Sequence, residues 1–381
     1  EFSSTAPALQ DRLYINDGSG SFTRSRGRLP RLRQSGATVE AIDFDADGDR
    51  DLFVGGRVVP WHYGRTPKSY IFENDGTGQF TDVTGTVAPG LREVGMVTDA
   101  AWTDITGNGR RELVVVGDWM PITIFEYEEG QLERMETTGL EQSHGWWTRV
   151  LAEDVTGDGR PDLILGNFGH NMRLKASPET PVSMYASNFN RNRRTNTILT
   201  HYSEGKEVPF SLRGPLARQL GFVQSKFPTH EAYADATIDD LLTNEQKEQA
   251  VVHRAHTLSS MAVVNEGNGS FEMHPLPLRA QFAPMFGLLA GDFTGDGTTD
   301  LLMGGNFHGV KPSLGRMAAS YGVFLRGTGD GGFSAVPSRK SGLLVRNQVR
   351  DMAVLNTSKY GRVILFAKND ASLQIVAPTT P

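Results

Sequence analysis

A ten-residue acidic pattern recurs four times, each time immediately before an apolar run. The copies are DFDADGDRDL (43–52), DITGNGRREL (104–113), DVTGDGRPDL (154–163) and DFTGDGTTDL (292–301). Oxygen-bearing side chains stand at positions 1, 3, 5 and 9, glycine at 6 and leucine at 10. The runs that follow, LFVGG, LVVVG, LILG and LLMGG, each end in glycine. A repeat of this kind fixes the architecture before any local detail does. Each copy must be one unit of a repeated strand–loop–strand structure.

The rest of the unit is legible around the loop. Before it lies a β-rich run: ATVEAI (37–42), VTDAAW (97–102), TRVLAE (148–153) or FGLLAG (286–291). After the second strand comes a hairpin with a Gly/Asn/Asp turn, as in IFENDGTGQF (71–80), VVNEGNGSF (263–271) and VFLRGTGDGGF (323–333). Such turns between apolar runs are strong hairpin signals. We therefore expect an all-β chain: a β-propeller of four-stranded antiparallel blades, forming one domain over 1–381. Six blades are expected, at 37–84, 96–137, 147–180, 181–276, 286–338 and 349–378. Seven is the alternative, should another hide in 198–258. The N-terminal hairpin at 12–24, around YINDGSGSF (14–22), is expected to complete the last blade and close the ring. A weaker echo of the loop starts at Asp351.

One stretch departs from the pattern. PLARQLGF (215–222) and EAYADATIDDLL (231–242) read as helical, and Thr243 with Gln246 has the spacing of a capping box. Residues 205–257 are thus expected to form a helical insertion within one blade.

Alternating oxygens in a tight loop suit a hard cation such as Ca²⁺, which takes six to eight oxygen ligands. The expected ligands are Asp43, Asp45, Asp47, Asp49 and Asp51 in the first loop, and Asp104, Thr106, Asn108, Arg110 and Glu112 in the second. The third offers Asp154, Thr156, Asp158, Arg160 and Asp162, and the fourth Asp292, Thr294, Asp296, Thr298 and Asp300. The residue at position 7 would contribute its backbone carbonyl. Carboxylate count ranks the first loop tightest and the second weakest. A fifth loop, NFNRNRRTNT (188–197), has asparagine in place of every acid and is expected to keep the shape without the metal. The alternative for all the loops is a network of Asx turns with no ion.

Composition narrows the function. The 381 residues contain no cysteine, so thiolate metal sites and disulfides are excluded. Four bound Ca²⁺ would carry the formal net charge of −6 to +2, so the acidity belongs to the metal loops. Arginines cluster at 24–33 and 191–194, but a broad basic face is not implied and no nucleic-acid partner is expected. No apolar run reaches the ~18 residues of a membrane span. Calcium sites of moderate affinity fill mainly outside the cytosol, which points to a secreted, cell-surface or periplasmic protein.

The loops resemble the FG-GAP/VCBS repeats of integrin-α-type propellers. Over nearly its whole length the chain is similar to bacterial VCBS-repeat proteins of the cartilage-acidic-protein (ASPIC/UnbV-associated) kind. The carriers are DRLYINDGSGSF (11–22), DLFVGGRVVP (51–60), GMVTDAAW (95–102), GDWMPI (117–122), GWW (145–147) and GNFGHN (166–171). The resemblance implies an exported propeller that is often surface-attached and commonly part of a longer polypeptide. It is specific for fold and calcium, not for an activity.

Propeller connectivity puts the metal loops on one face and gathers other residues on the opposite one. The candidates for ligand binding are Trp61, His62, Tyr63, Arg65, Trp119, Trp147, His170, Asn171 and His308. Aromatic rings mixed with directed polar groups suit a glycan or a protein partner. No nucleophile elbow, phosphate loop or zinc motif is present, so no catalytic residue is assigned. The leading expectation is a calcium-stabilised binding or adhesion module. The alternatives are a polysaccharide lyase or hydrolase on the same scaffold, and a structural module of a larger surface assembly.

Overall fold

The computed structural model describes residues 6–311 and 315–378. The chain is predominantly β, and its antiparallel sheets follow one another along the sequence. The first sheet runs in order through Ser35–Ile42, Asp51–Val58, Tyr70–Asn74 and Phe80–Asp82. The second runs through Met96–Thr103, Glu112–Met120, Thr123–Glu128 and Gln131–Arg134, with the short strand Gly145–Trp146 added beside Glu112–Met120. The fourth holds Met285–Gly291, Asp300–Gly305, Val323–Gly327 and Phe333–Val336. The fifth has three strands, Gln348–Thr357, Gly361–Asn369 and Gln374–Val376.

The third sheet corrects the expected units. Arg149–Glu153 and Asp162–Gly166 do not finish a unit by residue 180. Their sheet is completed by Met261–Gly267 and Ser270–Pro275. Between its second and third strands the chain builds another four-stranded sheet, in the order Lys206–Pro209, Asn196–Ser203, Val182–Ser187, Val251–Ala255. The last of these strands pairs with the first of the insert, Val182 opposite Ala255, so the excursion returns to where it began. The insert is therefore larger than its helices.

Those helices are short: Arg213–Gln219, Phe222–Lys226, His230–Ala234, Ile238–Leu241 and Asn244–Glu248. Thr243 and Gln246 form the expected capping box. A second one, Thr237 with Asp240, splits the helical run expected at 231–242 into two turns. Leu216, Leu220, Val223, Ile238 and Leu241 seal them against Tyr185 and Ile198 of the inserted sheet.

The glycine-ended apolar runs are buried on both faces, which is why they read as unbroken hydrophobic stretches. Side chains alternate along a strand, and here each alternate set meets a different neighbour. Leu113 and Val115 pack toward Phe53 and Ile71 of the first sheet. Val114 and Val116 pack toward Leu163, Leu165 and Val263 of the third. Ile164 in turn faces Leu301 and Met303 of the fourth, and Leu302 faces Val349, Met352 and Phe366 of the fifth. The sheets thus stack face to face in chain order.

Two further expectations change. The N-terminal strands Leu13–Asn16 and Phe22–Ser25 pair only with each other among the described residues. Leu13, Leu29 and Leu32 pack instead on Val54, Tyr70 and Phe72, covering the outer face of the first sheet. Asp351 lies inside a strand, not in a loop, and forms an ion pair with Arg149 at 3.1 Å.

Candidate functional site

The acidic loops share one internal geometry. The position-9 carboxylate is sunk at the base of each loop: Asp51, Glu112, Asp162 and Asp300 are at most 2% exposed. Each accepts a hydrogen bond from the backbone of position 2, and all but Asp51 accept one from position 3 as well, as Asp162 does from Val155 N at 2.9 Å and Thr156 N at 3.2 Å. In three loops it also ties in the neighbouring hairpin, through Asn74 N (2.8 Å), Asn265 N (2.8 Å) and Gly327 N (3.0 Å). The position-1 carboxylate curls the loop by accepting from the N–H of position 6. Gly48, Gly109, Gly159 and Gly297 supply these bonds at 2.8–3.1 Å. The Asx-turn network therefore exists in every acidic loop. The lone pairs it leaves over are what a cation would use.

The first loop fits a metal best. Carboxylate oxygens of Asp43, Asp45 and Asp51 converge within 4.8 Å of one another, and no other trio of acids or histidines does so among the described residues. Burial pushes the Asp51 carboxyl up to about 6, against the hydrogen bonds from Asn74 and Phe44. Asp49 is also raised, by desolvation and by its neighbours Asp47, Asp45, Asp43 and Asp75, and its Oδ1 has no partner. Crowded acids with an orphaned oxygen are the electrostatic signature of a cation site. Asp43, Asp45 and Asp51 would hold the ion, which would supply charge neutralisation and a cross-link.

The other loops are organised differently. Thr106, Thr156 and Thr294 occupy position 3, so the third and fourth loops have one carboxylate fewer and the second, with Asn108 at position 5, two fewer. Thr106 Oγ1 bonds to Glu112 at 3.2 Å, and Thr156 Oγ1 to Asp154 and Asp162 at 3.3 and 3.2 Å. Arginine also competes at position 5. Arg160 pairs with Asp158, and Arg326 reaches Asp296 with two bonds of 3.0 and 2.6 Å. The Thr298 hydroxyl, and then that pairing, hold the Asp296 carboxyl far below the usual range. Arg110 has no such role; its N–H bonds to Asn108 at 2.7 Å. The asparagine loop repeats the same turn. Asn188 accepts from Asn192 N at 2.9 Å and Asn192 from Arg194 N at 3.1 Å.

The strands that leave the acidic loops carry the chain to the other end of the sheets. There the candidate ligand residues fall into two groups. Trp61 follows Asp51–Val58 and is half exposed, with Arg194 stacked 5.6 Å from its ring centre. Tyr63 donates to Asp118 at 3.0 Å and accepts from Trp119 Nε1 at 3.0 Å, while Arg57 holds Asp118 at 2.7 Å. His62 bonds to Thr195 at 3.0 Å, and Arg65 is exposed. Trp61 and Trp119 both have positive φ, 68° and 64°. For bulky residues this is an outlier costing roughly 1–3 kcal/mol, held in place by its surroundings. Trp61 and Tyr63 line a cavity of about 460 Å³ with Val58, Pro60, Thr195 and Thr197.

The second group gathers around a smaller cavity. His170 bonds to Ser259 at 2.7 Å, Asn171 to the Phe282 carbonyl at 3.2 Å, and His308 to Arg316 at 2.7 Å. Trp147 joins neither group. It is fully buried between the second and third sheets, its indole N–H bonded to Ser143 O at 2.9 Å.

A chain of rings links the two groups: Trp119 to Trp146 at 4.8 Å, Trp146 to Phe168 at 5.3 Å, and Phe168 to Phe307 at 6.2 Å. Phe168 and Phe307 escaped the sequence reading. Their signal is a small second repeat beyond the strand glycine: Gly117-Asp118-Trp119, Gly166-Asn167-Phe168 and Gly305-Asn306-Phe307. The polar residue is buried and bonded, as Asn306 is to Ser320 O at 2.7 Å. The ring after it is thereby aimed into the cluster.

Residues 104–165 match the FG-GAP-like repeat family. The match runs from the second acidic loop through the third. No curated protein matches the chain. Among solved structures it is similar to the rhamnogalacturonan lyase YesW, at 15% identity and a TM-score of 0.36, over 96% of this chain and 59% of that one. It is also similar to the V. cholerae biofilm matrix protein Bap1, at 12% identity and a TM-score of 0.32, over 91% of this chain and 53% of that one. The chain thus spans under two thirds of either protein. Neither likeness bears on what this chain does.

Proposed function

We propose that the chain is a calcium-stabilised propeller module that binds a glycan or protein ligand outside the cytoplasm, without catalysis. The sheets are its blades and the inserted sheet an elaboration of the third. Calcium fills the first acidic loop and, more weakly, the other three. The observation that carries the binding role is the cavity beside Trp61 and Tyr63. An exposed indole and a fixed phenol stand at the end of the sheets remote from the acidic loops, on backbone held in a costly conformation. Stacking faces with a few anchored polar groups suit sugar rings or an apolar partner side chain. The Tyr63 hydroxyl is pushed further from ionisation by burial and by Asp118. A phenol held protonated is a hydrogen-bonding group and a poor base, which favours binding over turnover. No helix among the described residues is long and apolar enough to cross a membrane.

A glycan and protein screen at millimolar calcium tests the reading. Trp61→Ala should weaken the best ligand at least tenfold while leaving the melting temperature within a degree or two. Turnover of a polysaccharide by the native chain would overturn the non-catalytic assignment.

A further inference from the structure

The smaller cavity has a chemistry of its own. Its volume is about 200 Å³, and its apolar wall includes Trp146, Phe168, Leu174 and Phe210. Arg173, Arg316 and Asn171 also line it, and no acid does. Neither arginine has a carboxylate within ion-pair distance among the described residues. Arg173 lies over Phe210 at 5.3 Å, and Arg316 bonds to the His308 ring. Two more cations stand close by. Arg350 stacks on Phe286 at 4.4 Å and is tied to the Asn306 and Val349 carbonyls and to Gln348. Lys175 is bonded to the His170 carbonyl at 2.7 Å. His170, His201 and His308 all titrate below their ordinary range, through burial and then through Lys175, Arg173 or Arg316 and Arg350. In a chain with 44 acids against 38 Lys and Arg, four cations around one cavity with no acid partner among the described residues are not an average surface.

We propose that this cavity is the subsite for an acidic sugar residue, a pyranose ring bearing a carboxylate, within a longer saccharide. The apolar ring face would rest on the aromatic wall. The carboxylate would take the free N–H groups of Arg173 and Arg316, whose planar forks suit bidentate pairing. The enclosed volume favours a single ring over an extended acidic peptide. The proposal rests on reading this end of the molecule as a glycan-binding face and names the chemistry that the face selects.

Calorimetric titration of the full chain, with calcium present throughout, tests it. The probes are a uronic-acid tetrasaccharide, the same saccharide with its carboxyls reduced to alcohols, a sulfated neutral tetrasaccharide and a polyglutamate peptide. The uronate should bind at least tenfold tighter than its reduced form and weaken as salt rises. Arg173→Gln with Arg316→Gln should abolish that preference while leaving the melting temperature unchanged. Equal binding of uronate and reduced saccharide overturns the subsite but leaves the glycan-binding face standing. A uronate preference that survives the double change also overturns it. Sulfated sugar or polyglutamate bound as tightly as uronate removes the assignment to a carboxylated ring. Binding of no saccharide at all overturns both the subsite and the glycan-binding face, leaving a protein as the module's ligand.

Discussion

The most consequential single residues are those whose charge the fold suppresses. His144 is half-buried, its ring tilted against that of His256 with centres 5.0 Å apart, and its Nδ1 has no partner among the described residues. Burial, then His256, Arg134 and Arg254, lowers its pKa to about 4. As pH falls from about 6.5, the unfolded chain takes up this proton first. Stability is therefore full above pH 6.5 and declines as pH drops toward 4. After allowance for partial exposure the loss is on the order of 1–2 kcal/mol. Thermal melts between pH 7 and 4 should show it, and His144→Phe should flatten that part of the profile. The acids of the first loop act in the opposite sense, waiting for a counter-charge. Asp43→Ala with Asp47→Ala should remove more of the calcium-dependent gain in melting temperature than Asp104→Ala with Asn108→Ala. Equal effects would refute the ranking of the loops. The position-9 carboxylate and its loop were readable from spacing alone. The Arg160 and Arg326 pairings were not, because Arg326 approaches from a strand beyond the loop it meets.

At the scale of the element, the glycine ending each apolar run has a steric cause. A Cβ on Gly56 would meet the Lys68 carbonyl, and one on Gly166 or Gly305 the backbone around Met285 or Pro284. Backbone cannot rotate away as a side chain can. Gly166→Ala or Gly305→Ala should therefore cost at least about 1–3 kcal/mol, the usual range for forced overpacking, in denaturant titrations. The asparagine loop makes the opposite case, a turn that holds itself without an ion. Neutral amides beside Arg193 and Arg194 offer too little charge to dehydrate Ca²⁺. Asn188→Ala should leave the stoichiometry of calcium binding unchanged, and loss of one ion would show the assignment wrong. Strand identity was legible throughout because burial on both faces makes continuous apolar runs. Sheet membership in the third unit was not. Nothing in VVNEGNGSF says that its partner lies before Gly166 rather than inside 182–203; the register Leu163 opposite Val263 is a tertiary choice.

For the whole molecule, removal of calcium should lower the melting temperature. An ion bound only by the folded chain stabilises it by mass action, about 2.7 kcal/mol per site at a hundredfold excess over Kd. A melt unchanged by chelator would leave the loops as Asx turns and nothing more. The stacked order of the sheets was legible from the repeat, but the role of the N-terminal hairpin was not. Its alternation gives an apolar face without saying which sheet it covers. The split third sheet also constrains how the chain can find its fold. Its inner and outer halves are separated by residues 167–260, so a loosely tethered chain would lose roughly 1–2 kcal/mol more in closing them than a short connection would. The pairing of Val182 with Ala255 removes most of that separation. Once the insert has folded, its two ends lie side by side and hand the waiting strands to each other. The excursion thus behaves as a cassette whose own folding sets when the third sheet can close. Replaced by a short turn, it should speed refolding of the remaining sheets while deleting the Phe210 wall of the smaller cavity.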